Sequence, residues 1–226
     1  MSETEVPLPP YTGSIGYYSH KYKIMKKLLL IAWISVGLIS CNSQQSKQTE
    51  KTSEYTCDEI GWTFHYPNDW KVLSKDEIDI IEGRGRTAME STINEEIPLN
   101  NNNLLWLKKD QFNSFTSTIQ PYDTIVDGSY SENQKLLTQL MVDTYSNQGV
   151  QFDYKSGKES VDGLEFTTFE CVIYAPDRKK IILNQIMYDR LINGKTSLTF
   201  SINYNNDKDK EALMGIIKTS KLTQRQ

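Results

Sequence analysis

After residue 150 the chain alternates apolar and polar side chains, the pattern of strands that are buried on one face. Four such segments follow one another with no helical pattern between them: Val150–Lys158, Leu164–Tyr174, Ile181–Ile192 and Ser197–Tyr204. Pairs of turn-forming residues separate them: Asp162-Gly163, Pro176-Asp177 and Asn193-Gly194. Because such short turns join neighbouring antiparallel strands, this region is predicted to form a four-stranded antiparallel sheet.

More extended structure is predicted before residue 122. The segments with the required apolar side chains are Trp62–Tyr66, Trp70–Leu73, Leu104–Leu107 and Asn113–Gln120. The first two are separated by a turn at Pro67-Asn68-Asp69, because proline fixes φ and asparagine and aspartate stabilise turns locally. Pro121 ends the last segment.

Ser74 and Glu77 have the spacing of a capping box, which predicts the start of a helix. Gly83 and Gly85 follow within a few turns, so one continuous helix and two shorter pieces are both open.

Two more helices are predicted further along the chain. Ser131 and Gln134 predict the cap of a long helix that Gly149 ends. Its apolar residues recur at helical spacing: Leu136, Leu137, Leu140, Met141 and Tyr145. A last helix is predicted from Asp207 to Ser220, with a buried stripe of Leu213, Ile216 and Ile217. The fold class is therefore α+β, an antiparallel β-sheet flanked by helices within a single domain of residues 55–226.

The order of several local patterns resembles the Mog1/PsbP-like superfamily over roughly residues 58–223. The patterns are Phe64-x-Tyr66-Pro67-x-x-Trp70, the region from Trp106 to Asn113, the run Asp162–Phe166, and Phe200–Tyr204 leading into the last helix. The resemblance implies an αβα sandwich. Members of this superfamily include photosystem accessory proteins, a small-GTPase-binding protein, effector chaperones and many bacterial lipoproteins of unknown role. The resemblance therefore also implies a tendency to bind other proteins and a lack of catalysis. The superfamily has no common site motif, so no functional residue is carried over.

The segment Met25–Cys41 has the parts of an export signal in the required order. Two lysines precede 12 uncharged residues, Leu28–Ile39, whereas a membrane-spanning helix needs about 20 apolar residues. Leu38-Ile39-Ser40-Cys41 resembles the lipobox of bacterial lipoproteins. The resemblance implies that residues 25–40 are a signal peptide and that the Cys41 thiol is lipidated, with palmitate labelling as its readout. An ordinary secretory signal with a chance cysteine and a buried apolar helix are the alternatives.

Residues 1–24 precede this signal and are interpreted as a mis-assigned start or a disordered extension. Residues 41–54 are predicted to be a flexible tether, because Asn42 to about Ser53 includes no apolar residue. Asn42 is not aspartate, and no acidic cluster follows the cysteine. These two observations favour a lipoprotein of the outer membrane that faces the periplasm.

The charge of the predicted mature chain argues against nucleic acid as a partner. Residues 1–40 hold four of the 25 basic and two of the 29 acidic residues, so the remainder has a net charge of −6. Phosphate backbones are bound by clustered lysine and arginine, and no such excess is present.

Histidine, which most zinc sites and most serine or cysteine catalytic systems use, occurs only twice. His20 precedes the predicted cleavage site, and His65 is predicted on the solvent side of the opening strand. The acidic residues Asp76, Glu77 and Asp79 are assigned to helix stabilisation, while Asp123, Asp127 and Asp143 cannot be placed together. Gly83-Arg84-Gly85-Arg86 resembles half of a phosphate loop without its flanking elements. No catalytic residue, metal ligand or cofactor is therefore predicted.

Cys57 and Cys171 remain once Cys41 is assigned to lipidation. Two readings are open: a disulfide, which the oxidising envelope permits, or small buried side chains that behave as apolar residues.

The leading functional prediction is a non-enzymatic binding or accessory module for another periplasmic or membrane protein. The alternative is a small-ligand binder or enzyme that uses carboxylates and tyrosines in a cleft between sheet and helix. A cytoplasmic chaperone of the same fold is a third hypothesis.

Overall fold

The computed structural model describes residues 51–97 and 102–223. The predicted lipidation site Cys41, the signal segment 25–40, the extension 1–24 and most of the tether lie outside the described residues. The strands are β1 (Thr52–Cys57), β2 (Trp62–Pro67), β3 (Lys71–Val72), β4 (Asn102–Asn103), β5 (Leu107–Lys108), β6 (Ser114–Pro121), β7 (Gln151–Val161), β8 (Leu164–Tyr174), β9 (Ile181–Ile192), β10 (Thr196–Tyr204) and β11 (Lys221–Leu222). The helices are α1 (Lys75–Ile93), α2 (Thr124–Asp127), α3 (Tyr130–Asn147) and α4 (Asp207–Thr219).

A large antiparallel sheet has the strand order β3-β5-β6-β10-β9-β8-β7, and β4 also pairs with β6. The bounds of β8 and β9 are those predicted from the alternation. Asp162 and Gly163 have φ angles of 50° and 77°, the left-handed values that a type I′ turn between β7 and β8 requires. The predicted α+β class, with an antiparallel sheet flanked by helices, is confirmed.

A second, smaller sheet has the order β1-β2-β11. β1 begins at Thr52, so the last three residues of the predicted tether belong to the folded domain. Thr52 pairs with Pro67 and Glu54 pairs with His65. Backbone pairing of this kind does not depend on apolar side chains, which is why hydropathy did not reveal the strand.

α1 is one continuous helix, although Gly83 and Gly85 left two pieces open. The capping box is confirmed: the Glu77 N–H donates to Ser74 Oγ at 3.4 Å, and the Ser74 N–H donates to Glu77 Oε2 at 3.0 Å. The buried residues of the helix recur at turn spacing: Ile78, Glu82, Gly85 and Met89. Gly85 therefore lies on the packed face, where the lack of a side chain allows close approach of the helix backbone.

The cap predicted at Ser131 is wrong. α3 begins at Tyr130, and its N-cap is Ser129, whose side chain makes no capping hydrogen bond. Gln134, the expected capping partner, is buried among the side chains beneath the helix instead. The C-terminal prediction is closer, because Gly149 follows the helix with a left-handed φ of 70°.

The apolar run Leu104–Leu107 is not the single strand that its composition predicted. β4 ends before it, and β5 takes only its last residue. The Leu105 N–H donates to Ser117 Oγ at 3.1 Å, and that hydroxyl donates to the Leu105 carbonyl at 2.9 Å. A side chain of β6 thus satisfies backbone groups that a regular ladder would otherwise pair.

The two faces of the large sheet bury separate apolar cores. One core lies between this sheet, the small sheet and α4, and its ring stack includes Trp62 and Phe200 at 5.4 Å between centroids. The other lies between β8, β9, α1 and α3 and includes Met89, Leu140 and Phe169. No helix within residues 51–97 and 102–223 is long and apolar enough to cross a membrane.

Candidate functional site

The sheet face beneath α1 and α3 is apolar on β8 and β9 but polar on β6 and β10. Alternation along β10 places Leu198, Phe200 and Ile202 in the core shared with α4, so the residues between them face the other helices. The polar residues of β6 and β10 on this face are Ser114, Thr116, Thr118, Gln120, Ser197, Thr199, Ser201 and Asn203. Most of them are buried, and they form a polar layer between sheet and helices.

A chain of hydrogen bonds crosses this layer from α3 to β6. The Tyr145 hydroxyl donates to Gln185 Oε1 at 2.9 Å, and Gln185 Nε2 donates to Asn203 Oδ1 at 3.0 Å. Asn203 Nδ2 then donates to Ser114 Oγ at 3.1 Å. Burial raises the pKa of Tyr145 above its ordinary value, so the hydroxyl stays a donor. The network fixes α3 on the sheet and ends at a residue that lines an open cleft.

Asp189 is a buried carboxyl group in the same layer. It lies opposite Thr199 in the β9–β10 pairing, and the Thr199 hydroxyl donates to Asp189 Oδ1. Asp189 is only 3% exposed, and desolvation raises the pKa of its carboxyl from 3.8 to about 7. The Tyr130 hydroxyl lies 3.1 Å from Ser197 Oγ, and burial followed by the charge of Asp189 raises its pKa.

A cleft of about 110 Å³ opens between α1 and the β5–β6 side of the large sheet. Its apolar wall is formed by Leu73, Ile81, Trp106, Leu107 and Leu183. Its polar wall includes Arg84, Lys108, Asp110, Gln111, Ser114, Thr116 and Asn203. The same α1 and β5 residues continue outwards into a wider depression of about 380 Å³, where Ile80 is 57% exposed.

The charged side chains at this cleft differ in whether they have ion-pair or hydrogen-bond partners. Arg84 and Lys108 form no ion pair with any residue that the structure describes. Asp110 is already an acceptor, because its Oδ1 takes hydrogen bonds from the backbone N–H groups of Phe112 at 2.7 Å and Asn113 at 3.0 Å. In the outer depression, which Lys108 also lines, Lys71 pairs with Glu77 and Lys109 pairs with Asp209. Two basic side chains that have no ion pair among the described residues, Arg84 and Lys108, therefore flank the cavity, and Asp110 is the one carboxylate in its lining.

His65 lies on the solvent side of β2, as predicted. Its side chain is 48% exposed, and Nε2 lies 3.7 Å from Glu54 Oε2. Cys57 and Cys171 are free thiols, and each is buried in a different apolar core. The reading of buried apolar cysteines fits this geometry, and burial raises the pKa of the Cys171 thiol to about 12.

The acidic residues that the sequence singled out serve local structure. Glu77 belongs to the capping box, and its pKa is lowered to about 2, mainly by the hydrogen bond from Lys71. Asp123 caps α2, and the backbone N–H of Asp123 donates to Asp127 Oδ2 at 2.8 Å. Asp143 lies apart from both and accepts from Gln139. Within the described ranges no three histidine, cysteine, aspartate or glutamate side chains are grouped as metal ligands.

The sequence did not reveal the cleft. Arg84 was noticed only as part of a Gly-Arg-Gly-Arg run, which the structure places inside a continuous helix rather than in a phosphate loop. Trp106 lies within the apolar run Leu104–Leu107, which predicted a strand, and Lys108 follows that run directly. The only available signal was the adjacency of an apolar run and two lysines, which is too common to identify a site.

Comparison with known proteins places the fold. No family model matches the chain, and no curated protein matches its sequence. Among solved structures it is similar to the cyanobacterial PsbP protein (CyanoP) of Synechocystis sp. PCC 6803. The TM-score is 0.50 at 12% sequence identity, and the match covers 80% of this chain and 98% of the cyanobacterial one. The chain therefore contains a domain with the PsbP-like fold.

Proposed function

We propose that this protein is a lipid-anchored envelope protein whose domain is a non-enzymatic binding module for another protein. The cleft between α1 and the β5–β6 side of the sheet is its binding site. The observation that carries the proposal is the combination of an open cavity that has an apolar wall with two basic side chains, Arg84 and Lys108, that form no ion pair within residues 51–97 and 102–223.

The dimensions of the cleft support a macromolecular partner. Small-molecule sites usually have about 300–1,000 Å³, and a cavity of about 150 Å³ holds benzene. The inner cleft, at about 110 Å³, lies far below the small-molecule range and near the volume that holds one ring, while the depression in front of it, at about 380 Å³, is wide and open. This arrangement suits one anchoring side chain on a longer chain, which is the usual form of a binding hot spot.

The side chains around the cleft support a non-catalytic role. Its described lining contains no histidine and no tyrosine, and its one carboxylate, Asp110, is occupied by backbone donors. Asp189, the carboxyl group with the pKa most suited to acid–base chemistry, is buried away from the cleft lining. The alternative of an enzyme that uses carboxylates and tyrosines in this cleft has correspondingly less support.

The membrane attachment rests on the sequence. The lipobox-like Leu38-Ile39-Ser40-Cys41 and the short apolar run before it support acylation of Cys41 after signal cleavage. The polar segment that follows supports a tether that ends where β1 begins at Thr52. We place the protein at the outer membrane, facing the periplasm, on the identity of Asn42.

Cross-linking in the native host tests the proposal. A photo-reactive amino acid is introduced at Ile80, at the cleft mouth, and as a matched control at Tyr154, which is 49% exposed on β7 at the opposite sheet edge. A discrete protein adduct is expected from position 80 and none from position 154. No adduct at position 80, or equal adducts from both positions, contradicts the proposal.

A second arm of this experiment tests the anchor. The substitution Cys41→Ser is expected to move the protein from the membrane fraction to the soluble fraction and to reduce the adduct from position 80. Unchanged membrane partitioning contradicts acylation at this residue.

A further inference from the structure

Resting on the proposed function, we infer that the segment received by the cleft is acidic and carries one aliphatic or aromatic side chain between its carboxylates. The apolar side chain enters the cavity beneath α1, and the carboxylates pair with Arg84 and Lys108 at its rim.

The cavity beneath α1 has the size of a single side chain. Leu73, Trp106 and Leu183 surround a space of about 110 Å³, which is enough for one large side chain and too small for a folded element. Burying such a side chain removes its apolar surface from water, which makes it the anchor of the complex.

The polar wall of the cleft provides hydrogen-bonding groups. Gln111 and Ser114 line the same cleft and provide an amide and a hydroxyl group, whereas the Asn203 amide is already held by Gln185 and Ser114. An extended peptide needs such groups, because its own backbone N–H and C=O atoms lose water when it binds. The cleft therefore offers partners to a main chain as well as a cavity to a side chain.

The basic side chains at the rim of the cleft favour a segment that has carboxylates. The predicted mature chain is acidic, with a net charge of −6, yet Arg84 and Lys108 lie beside the cavity without an ion pair among the described residues. Other lysines, such as Lys179 and Lys180, also have no ion pair among the described residues, so the cavity beside Arg84 and Lys108 is what distinguishes this site, and the two cations add attraction for carboxylates. A basic segment would leave both cations unpaired and facing like charge.

The same cross-link identifies the chemistry of the occupant. Mass spectrometry of the adduct from position 80 is expected to map it to a partner peptide with at least two aspartates or glutamates flanking a large apolar residue. A neutral or basic protein peptide overturns this inference but leaves the proposed function standing. An adduct with lipid, or no adduct, overturns both.

Charge reversal provides the matched test. The double substitution Arg84→Glu with Lys108→Glu is expected to reduce the yield of the adduct about tenfold, and raising the salt concentration is expected to weaken it in the unsubstituted protein. Lys155→Glu with Lys158→Glu makes the same charge change on β7, where both lysines pair with glutamates, and is expected to leave the yield unchanged. Equal losses in the two variants, with equal thermal stability of both, would overturn the inference.

Discussion

Asp189 shows how a single residue can depart from its ordinary chemistry without any sequence signal. In the sequence it is one polar residue of an alternating strand, which normally means a solvent-facing position. In the structure the alternation continues, but the face of β9 and β10 that includes Asp189 and Thr199 lies beneath α3 and does not face water. Only the packing of distant elements makes this carboxyl group a buried one.

Asp189→Asn tests this environment. Because the folded state raises the carboxyl pKa from 3.8 to about 7, the folded protein binds the proton more tightly than the unfolded chain. Stability is therefore expected to fall as the pH rises from about 4 to 7, by up to about 4 kcal/mol above pH 7. Asn cannot ionise, so the variant is expected to lose this slope and to be the more stable protein at pH 8.

Denaturant unfolding of the purified protein at a series of pH values between 4 and 8 measures the slope. Asp69→Asn is the control, because Asp69 is exposed in the turn after β2. An identical pH dependence of stability in the parent protein and in Asp189→Asn would show that the Asp189 carboxyl group has an ordinary pKa in the folded protein.

At the scale of elements, the predictions succeeded where side-chain pattern and turn chemistry act together. β8, β9 and the last helix have the predicted positions, because alternation, left-handed turn residues and an apolar stripe all indicate the same structure. β1 and the segment around Leu105 could not be predicted, since backbone groups and the hydroxyl of Ser117 hold them. Gly83 and Gly85 suggested a break in α1, but the helix is continuous because one of its faces is packed against the rest of the protein.

Gly83→Ala tests whether α1 is continuous. A Cβ at Gly83 meets no atom within 4 Å, and the residue lies inside the helix. Alanine is expected to stabilise the protein by about 0.5–1 kcal/mol, because glycine is the poorer helix former. Gly163→Ala is the contrasting variant: its surroundings are equally open, but its φ of 77° is expected to make alanine destabilising by about 1 kcal/mol. Denaturant midpoints measure both, and a destabilised Gly83→Ala would contradict a continuous helix.

At the scale of the whole molecule, the candidate site depends on residues that are far apart in the chain. Its walls come from the start of α1, from β5 and β6, and from single residues of β9 and β10. No local pattern relates these segments, so the sequence predicted the sheet and its helices but not the cleft between them. The alternative hypothesis required a cleft between sheet and helix that is lined by carboxylates and tyrosines, whereas this cleft is lined by apolar, basic and uncharged polar side chains and by one carboxylate, Asp110.

The proposed function requires that the protein bind its partner in this cleft. Hydrogen–deuterium exchange of the protein, alone and in complex with the cross-linked partner, tests it most directly. Binding in this cleft is expected to slow exchange in residues 73–84 and 106–116 and to leave β7 unchanged. Slower exchange confined to β7, with the cleft segments unaffected, would contradict it.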